Sequence, residues 1–195
     1  MLLLVINREP RPLPPWHTKA RHAGCLTHWI DLNAVRPDVV MYTIMFVRGY
    51  ATFMNVQSGE QLHRILHGNA MWADETYNVH ILREEGPVQE LSEVQGQQRF
   101  LILARLAKPA PPSLDFETVD AQLKALIAPE KIQVYTLVED VMSYAILINA
   151  QSHDEIRSTL EPLAITGYCQ YEIMPLGTLS GHGAHLKALG HDIEV

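Results

Sequence analysis

Cysteine is scarce in this chain: 195 residues hold two, Cys25 and Cys169. They share no short spacing, so neither a disulfide framework nor a cysteine zinc site is indicated, and free thiols suit a reducing compartment. Positive charge is also short. Fifteen Lys and Arg stand against 22 Asp and Glu, a net charge of −7. A general nucleic-acid or anionic-membrane surface needs clustered cations, so no nucleic acid and no membrane are expected as partners. The longest-looking apolar opening, residues 1–6, is far below the roughly 20 residues of a membrane span. It lacks the basic flank and long apolar stretch of a signal peptide, and a cytoplasmic protein is expected. Phosphate-binding glycine loops are missing as well, which leaves nucleotide binding without support.

What the chain does have is a repeat. Residues 41–66 read MYTIMFVRGYATFMNVQSGEQLHRIL, and residues 134–160 read VYTLVEDVMSYAILINAQSHDEIRSTL. Tyr42-Thr43 returns as Tyr135-Thr136, Tyr50-Ala51 as Tyr144-Ala145, and Asn55-Val56-Gln57-Ser58 as Asn149-Ala150-Gln151-Ser152. The offset grows from 93 to 94 across the hairpin, so the second copy carries one extra turn residue. A repeat this long means two copies of one small domain, not a solenoid of short units. The apolar fraction of 47% suffices for a real core in each.

Within the first copy, residues 2–8 read as a strand and the prolines at 10–15 as a connection that no strand can cross. Residues 16–34 take a helical period, with Trp16, Ala20, Ala23, Thr27, Ile30 and Ala34 on one face. Residues 39–47 and 50–56 form a hairpin around Arg48-Gly49, with Gly49 free to take φ > 0. Ser58 with Gln61 makes a capping box for a short helix to His67, and residues 77–83 close the unit. This is the order β-α-β-β-α-β, the ferredoxin-like arrangement, in which two helices cover one face of a four-stranded antiparallel sheet. The second copy repeats it: strand 99–106, helix 114–127, hairpin 131–138 and 143–149, a helix capped by Ser152 with Glu155, and strand 167–175. The expected fold is therefore α+β, two tandem ferredoxin-like units. Their bounds are 1–86 and 98–177, with a linker at 87–97 and a tail at 178–195. Capping explains Ser58 and Ser152; no G-x-S-x-G surrounds either, so they are not nucleophile candidates.

Three stretches resemble the muconolactone isomerases. Residues 50–66 match that family's hairpin-to-helix passage: a Tyr-Ala step, a short strand, then Ser58-Gly59-Glu60-Gln61-Leu62-His63-Arg64-Ile65-Leu66. The second copy has Gln151-Ser152-His153-Asp154-Glu155-Ile156, and its close, from Pro162-Leu163 to Tyr171-Glu172-Ile173-Met174-Pro175-Leu176, is similar to the family's last strand. Lys19-Ala20-Arg21 matches a Lys-Ala-Arg step on the first helix. The resemblance implies ferredoxin-like sheets that pair into an α+β barrel, both halves in one chain. It further implies an enzyme of aromatic-compound breakdown that moves a proton on a small unsaturated acid or lactone without metal or cofactor. The family continues Lys-Ala-Arg with Glu, and this chain has His22.

An allylic proton shift needs a base near neutral pKa and a cation for the developing enolate. On this reading His22 moves the proton and Lys19, three residues before it on the helix, helps to hold the anion at the catalytic place. Arg21 holds the anion as a bidentate fork, and Trp16, Trp29, Tyr42 and Tyr50 line a pocket for a planar ring. The bland counterparts are a solvated basic helix face and ordinary core packing. No cofactor and no metal are expected: a metal set can be built from His17, His28 and the tail, but no histidine pair is read as having the i,i+4 spacing of a zincin helix. The small acid or lactone is the expected partner, with a homo-oligomer left open. Two other readings stand beside the isomerase. One is a cofactor-free monooxygenase of the related α+β barrel type, which consumes oxygen. The other is a small-molecule binding or assembly module without chemistry.

Overall fold

The computed structural model describes residues 1–8, 19–36, 38–47, 49–68, 75–83, 88–128, 130–139, 142–179, 181, 184 and 187, the side chains of 19–23 excepted. Among them stand two compact units, each with the expected β-α-β-β-α-β order. The first contains β1 (Leu2–Arg8), α1 (Lys19–Val35), β2 (Val39–Ile44), β3 (Gly49–Asn55), α2 (Gly59–Gly68) and β4 (Thr76–Ile81). Its antiparallel sheet has the order β4-β1-β3-β2. The second contains β5 (Gln98–Leu106), α3 (Phe116–Ala125), β6 (Ile132–Thr136), β7 (Tyr144–Ala150), α4 (His153–Leu160) and β8 (Cys169–Thr178). Its sheet has the order β8-β5-β7-β6.

The registers confirm the repeat residue by residue. Thr43 pairs with Tyr50 in the first hairpin and Thr136 with Tyr144 in the second, which places the extra residue in the second turn. The helix starts also repeat. Ser58 Oγ accepts the Gln61 amide at 3.2 Å, and Gln61 Oε1 accepts the Gln57 amide at 2.7 Å. Ser152 and Glu155 reproduce both bonds at 3.2 and 2.7 Å. Each satisfies amides that a helix start would otherwise leave orphaned.

Two local expectations are corrected. The first hairpin takes its left-handed residue at Phe46 (φ 66°), not at Gly49, which already lies in β3. Gly49 is required for another reason: a Cβ there would stand 2.4 Å from the Asn7 carbonyl oxygen. Second, the buried face of α1 runs through Cys25, Leu26 and Trp29, with Ile30 half-buried and Ala34 exposed. The large side chains decide the helix rotation, because indole and Leu bury far more apolar area than Ala or Thr.

One side of the first sheet, with Leu3, Val5, Tyr50 and Met54, forms a core with Cys25, Leu26 and Trp29 of α1. Leu179, just past β8, packs into this same core. The second unit's core is formed likewise by Ile102, Ile146 and Ile148 with Val119 and Leu123 of α3 and Ile156 of α4. Each fully buried aliphatic side chain of this kind contributes roughly 1.5–3 kcal/mol. The polar residues expected as a linker are partly built in: Leu91 is fully buried, and the buried Asn149 side chain donates to the Ser92 carbonyl at 2.9 Å. No helix among the described residues is long and apolar enough to cross a membrane.

Candidate functional site

Successive strand residues point to opposite faces, so Asn7 shares the α1 side of β1 with Leu3 and Val5. It is a fully buried amide in a strand otherwise made of Leu, Val and Ile up to that point. Opposite it stand Tyr50 on β3 and Tyr77 on β4. Asn7 Nδ2 donates to Glu75 Oε2 at 2.9 Å, and the Tyr77 hydroxyl donates to the same oxygen at 2.5 Å. Cys25 Sγ, from α1, donates to Glu75 Oε1 at 3.6 Å. A carboxylate so enclosed needs these donors, because burial without them costs several kcal/mol. Trp29 lies one helical turn beyond Cys25, with its ring 6.5 Å from that of Tyr50.

Among the described residues, the buried Asn7 Oδ1, Thr52 Oγ1 and Trp29 Nε1 of this region make no hydrogen bond, and in the second unit the buried Ser143 Oγ makes none either. Thr52 falls on the same side of β3 as Tyr50 and Met54. Leaving a buried donor or acceptor unmade costs about 1–3 kcal/mol, so each of these positions costs stability where it stands.

The second unit supplies an internal control. The residue between Tyr144 and Tyr171 is Ala104, in the register place of Asn7. Thr52 lies between Val5 and Met41, and its counterpart Ile146 lies between Ile102 and Val134. Two residues before Tyr77 stands Glu75; two before Tyr171 stands Cys169, half-buried against the second core. Burial pushes that thiol up to about 11, so it stays protonated at neutral pH. The tyrosines are kept in both copies, while amide, hydroxyl and carboxylate are replaced by apolar or neutral groups in the second. Among the described residues, the cluster of Asn7, Thr52 and Glu75 has no polar counterpart in the second unit.

The residues read from the sequence are distributed unevenly around this place. Trp29 and Tyr50 are fully buried and border it. Tyr42 is equally buried but pairs with Ala51, on the sheet side away from α1, so it does not share their surroundings. Lys19, Arg21 and His22 lie in the first turn of α1, and their side chains are outside the described residues, as is all of Trp16. His28 sits between the helices, with Nε2 3.1 Å from the Ile65 carbonyl oxygen; burial lowers its pKa, against the opposing effects of that bond and Asp31. No group of three or more His, Cys, Asp or Glu among the described residues is placed to hold a metal ion.

Asn7, Glu75 and Thr52 were not singled out by sequence pattern, since they belong to no motif. Their signal is the alignment of the chain with itself, where NR at the end of β1 meets AR at the end of β5. The expectation that no histidine pair has i,i+4 spacing is corrected by His63 and His67, which stand four residues apart on α2.

No protein-family model matches the sequence, and no curated protein matches it. Solved structures do. A candidate monooxygenase from Fusobacterium nucleatum superposes with a TM-score of 0.56 at 11% identity, over 91% of this chain and 92% of that one. A second candidate monooxygenase, from Lactobacillus acidophilus, gives 0.51 at 8% identity, over 90% and 93%. At these identities the likeness is one of fold, and it extends over both units: the chain is an α+β protein of two tandem ferredoxin-like repeats.

Proposed function

We propose that the first unit binds a small planar, ionisable molecule and oxidises it with molecular oxygen, without a cofactor. The observation that carries this reading is the buried Glu75–Asn7–Tyr77 cluster with unmade bonds at Asn7 Oδ1, Thr52 Oγ1 and Trp29 Nε1, set against the apolar equivalents in the second unit. A donor and two acceptors left unpaired beneath a helix are suited to a ligand with its own oxygen and hydroxyl groups. The names of the two structural neighbours favour oxygen chemistry over the proton-shift reading that the sequence resemblance implies.

The chemistry follows from the groups. Glu75 removes a proton from an acidic methylene flanked by aromatic or carbonyl groups. Trp29 Nε1–H donates to the oxygen on which the negative charge then rests. This carbanion is electron-rich enough to reduce oxygen stepwise, and the two radicals join as a peroxide at that carbon. The peroxide takes back a proton and loses water, leaving a ketone. The methylene gives up four electrons and oxygen accepts four; one oxygen atom enters the product and the other leaves as water. Asn7 and Tyr77 fix the carboxylate for the first step, because a displacement of about 1 Å costs roughly 100-fold in rate. Lys19 and Arg21, on the first turn of α1, are proposed to hold an anionic substituent, and His22 to relay the proton.

The test is an oxygen electrode. A panel of fused-ring phenolic ketones with acidic methylenes is supplied to the purified chain under air, and product is analysed for label from heavy oxygen gas. Uptake of one oxygen per ketone formed, abolished in Glu75→Gln, is expected. Conversion that proceeds equally under argon would establish the isomerase instead. Ligand-induced stabilisation with no conversion would establish a binding module.

A further inference from the structure

Helix α2 carries histidines at 63 and 67, four residues apart and both exposed. At 3.6 residues per turn this spacing puts them on one face, one above the other. Their ring centroids are 4.0 Å apart, with 44° between the ring planes. Two imidazoles bound cis to one ion at about 2.0–2.1 Å have centroids roughly 4.5 Å apart, taking a ring radius of about 1.2 Å. The ring separation is therefore within about half an ångström of that of a chelating pair, and χ rotations can bring a nitrogen of each ring toward one ion. His67 lies in the last turn of α2, where the helix carries partial negative charge, which favours a bound cation. Glu60 lies a turn before His63 on the same face and adds negative charge there.

The geometry points to a surface metal clip: His63 and His67 bind one divalent transition-metal ion through two imidazole nitrogens, with water filling the remaining positions. Imidazole donors without thiolate suit copper(II), then nickel(II) and zinc(II) more weakly. The clip is separate from the Glu75 cluster in composition and does not depend on the reading proposed for it. Its open positions also admit a second ligand, such as a carboxylate or imidazole from another molecule.

The experiment uses the full chain and copper(II) sulfate at neutral pH, read by calorimetry and by electron paramagnetic resonance. The chain has ten histidines, so a second variant, His182→Ala with His185→Ala, reports on its Gly-rich end. Expected are one ion at this site, with two-nitrogen splitting, and an affinity lowered roughly 100-fold in His63→Ala or in His67→Ala, since each loses the intramolecular second contact. The tail variant is expected to keep the site. Copper should raise the melting temperature of the wild type and not of either clip variant, because the spacing exists only in the folded helix. Unchanged affinity in the double His63→Ala, His67→Ala variant, or loss in the tail variant alone, would overturn the assignment. Both clip residues are on the surface, so circular dichroism of the variants should match the wild type.

Discussion

Replacing Asn7 by Ala copies into the first unit what the second already has at Ala104. Two energies oppose one another. The substitution removes the Nδ2 bond to Glu75, and a hydrogen bond to a charged group is worth about 1.5–3 kcal/mol. It also removes the buried, unbonded Oδ1, whose burial costs about 1–3 kcal/mol. Glu75 keeps its donors Tyr77 and Cys25. The net change in stability is therefore expected to be within about 1 kcal/mol, measured by urea unfolding. Activity should behave differently. Without Asn7 the carboxylate is held from fewer sides, and turnover should fall roughly 100-fold. A residue kept for function separates the two readouts in this way. If Asn7→Ala lost more than about 3 kcal/mol while each folded molecule kept full turnover, Asn7 would be a structural residue and the argument from unmade bonds would fail.

Three further outcomes can be checked directly. Gly49→Ala should destabilise the first unit by roughly 1–3 kcal/mol in urea unfolding, since its Cβ would meet the Asn7 carbonyl oxygen at 2.4 Å and the two strands must part; an unchanged midpoint would refute the close approach. The lowered pKa of His28 means that the unfolded chain binds its proton more readily, so wild-type stability is complete above about pH 6.5 and falls below it. His28→Gln should remove that slope, and parallel melting curves for the two proteins between pH 7.5 and 5.5 would count against it. Ser152→Ala should cost about 1 kcal/mol by losing the Glu155 amide bond, with Ser58→Ala similar at Gln61; a value near zero at either would show that the cap is replaced by water.

Local signals made the fold readable. Ser58 and Ser152 announce their helices because a cap acts over three residues, and the extra residue of the second hairpin is visible in the spacing of its tyrosines. The rotation of α1 and the turn residue at Phe46 were not readable, because both are set by tertiary contacts: the fit of Trp29 into the core, and the pressing of β3 onto β1 at Gly49. The site was harder still. Asn7 and Glu75 are 68 residues apart in sequence and meet only when β1 and β4 pair. Sequence motifs weigh neighbours along the chain: they point to Lys19, Arg21 and His22, whose side chains lie outside the described residues, and they group Tyr42 with Tyr50, which strand alternation separates.

Leu179 gives the first unit a dependence on time. Ribosomes emit about 5–20 residues per second, and roughly 100 residues separate the end of β4 from this leucine. The first unit thus waits roughly 5–20 s, with Leu179 missing from its hydrophobic interior, while the whole of its duplicate is made. Over that interval the nascent first unit exposes apolar surface that chaperones can recognise, and the Leu179 contact forms only after the second unit has emerged.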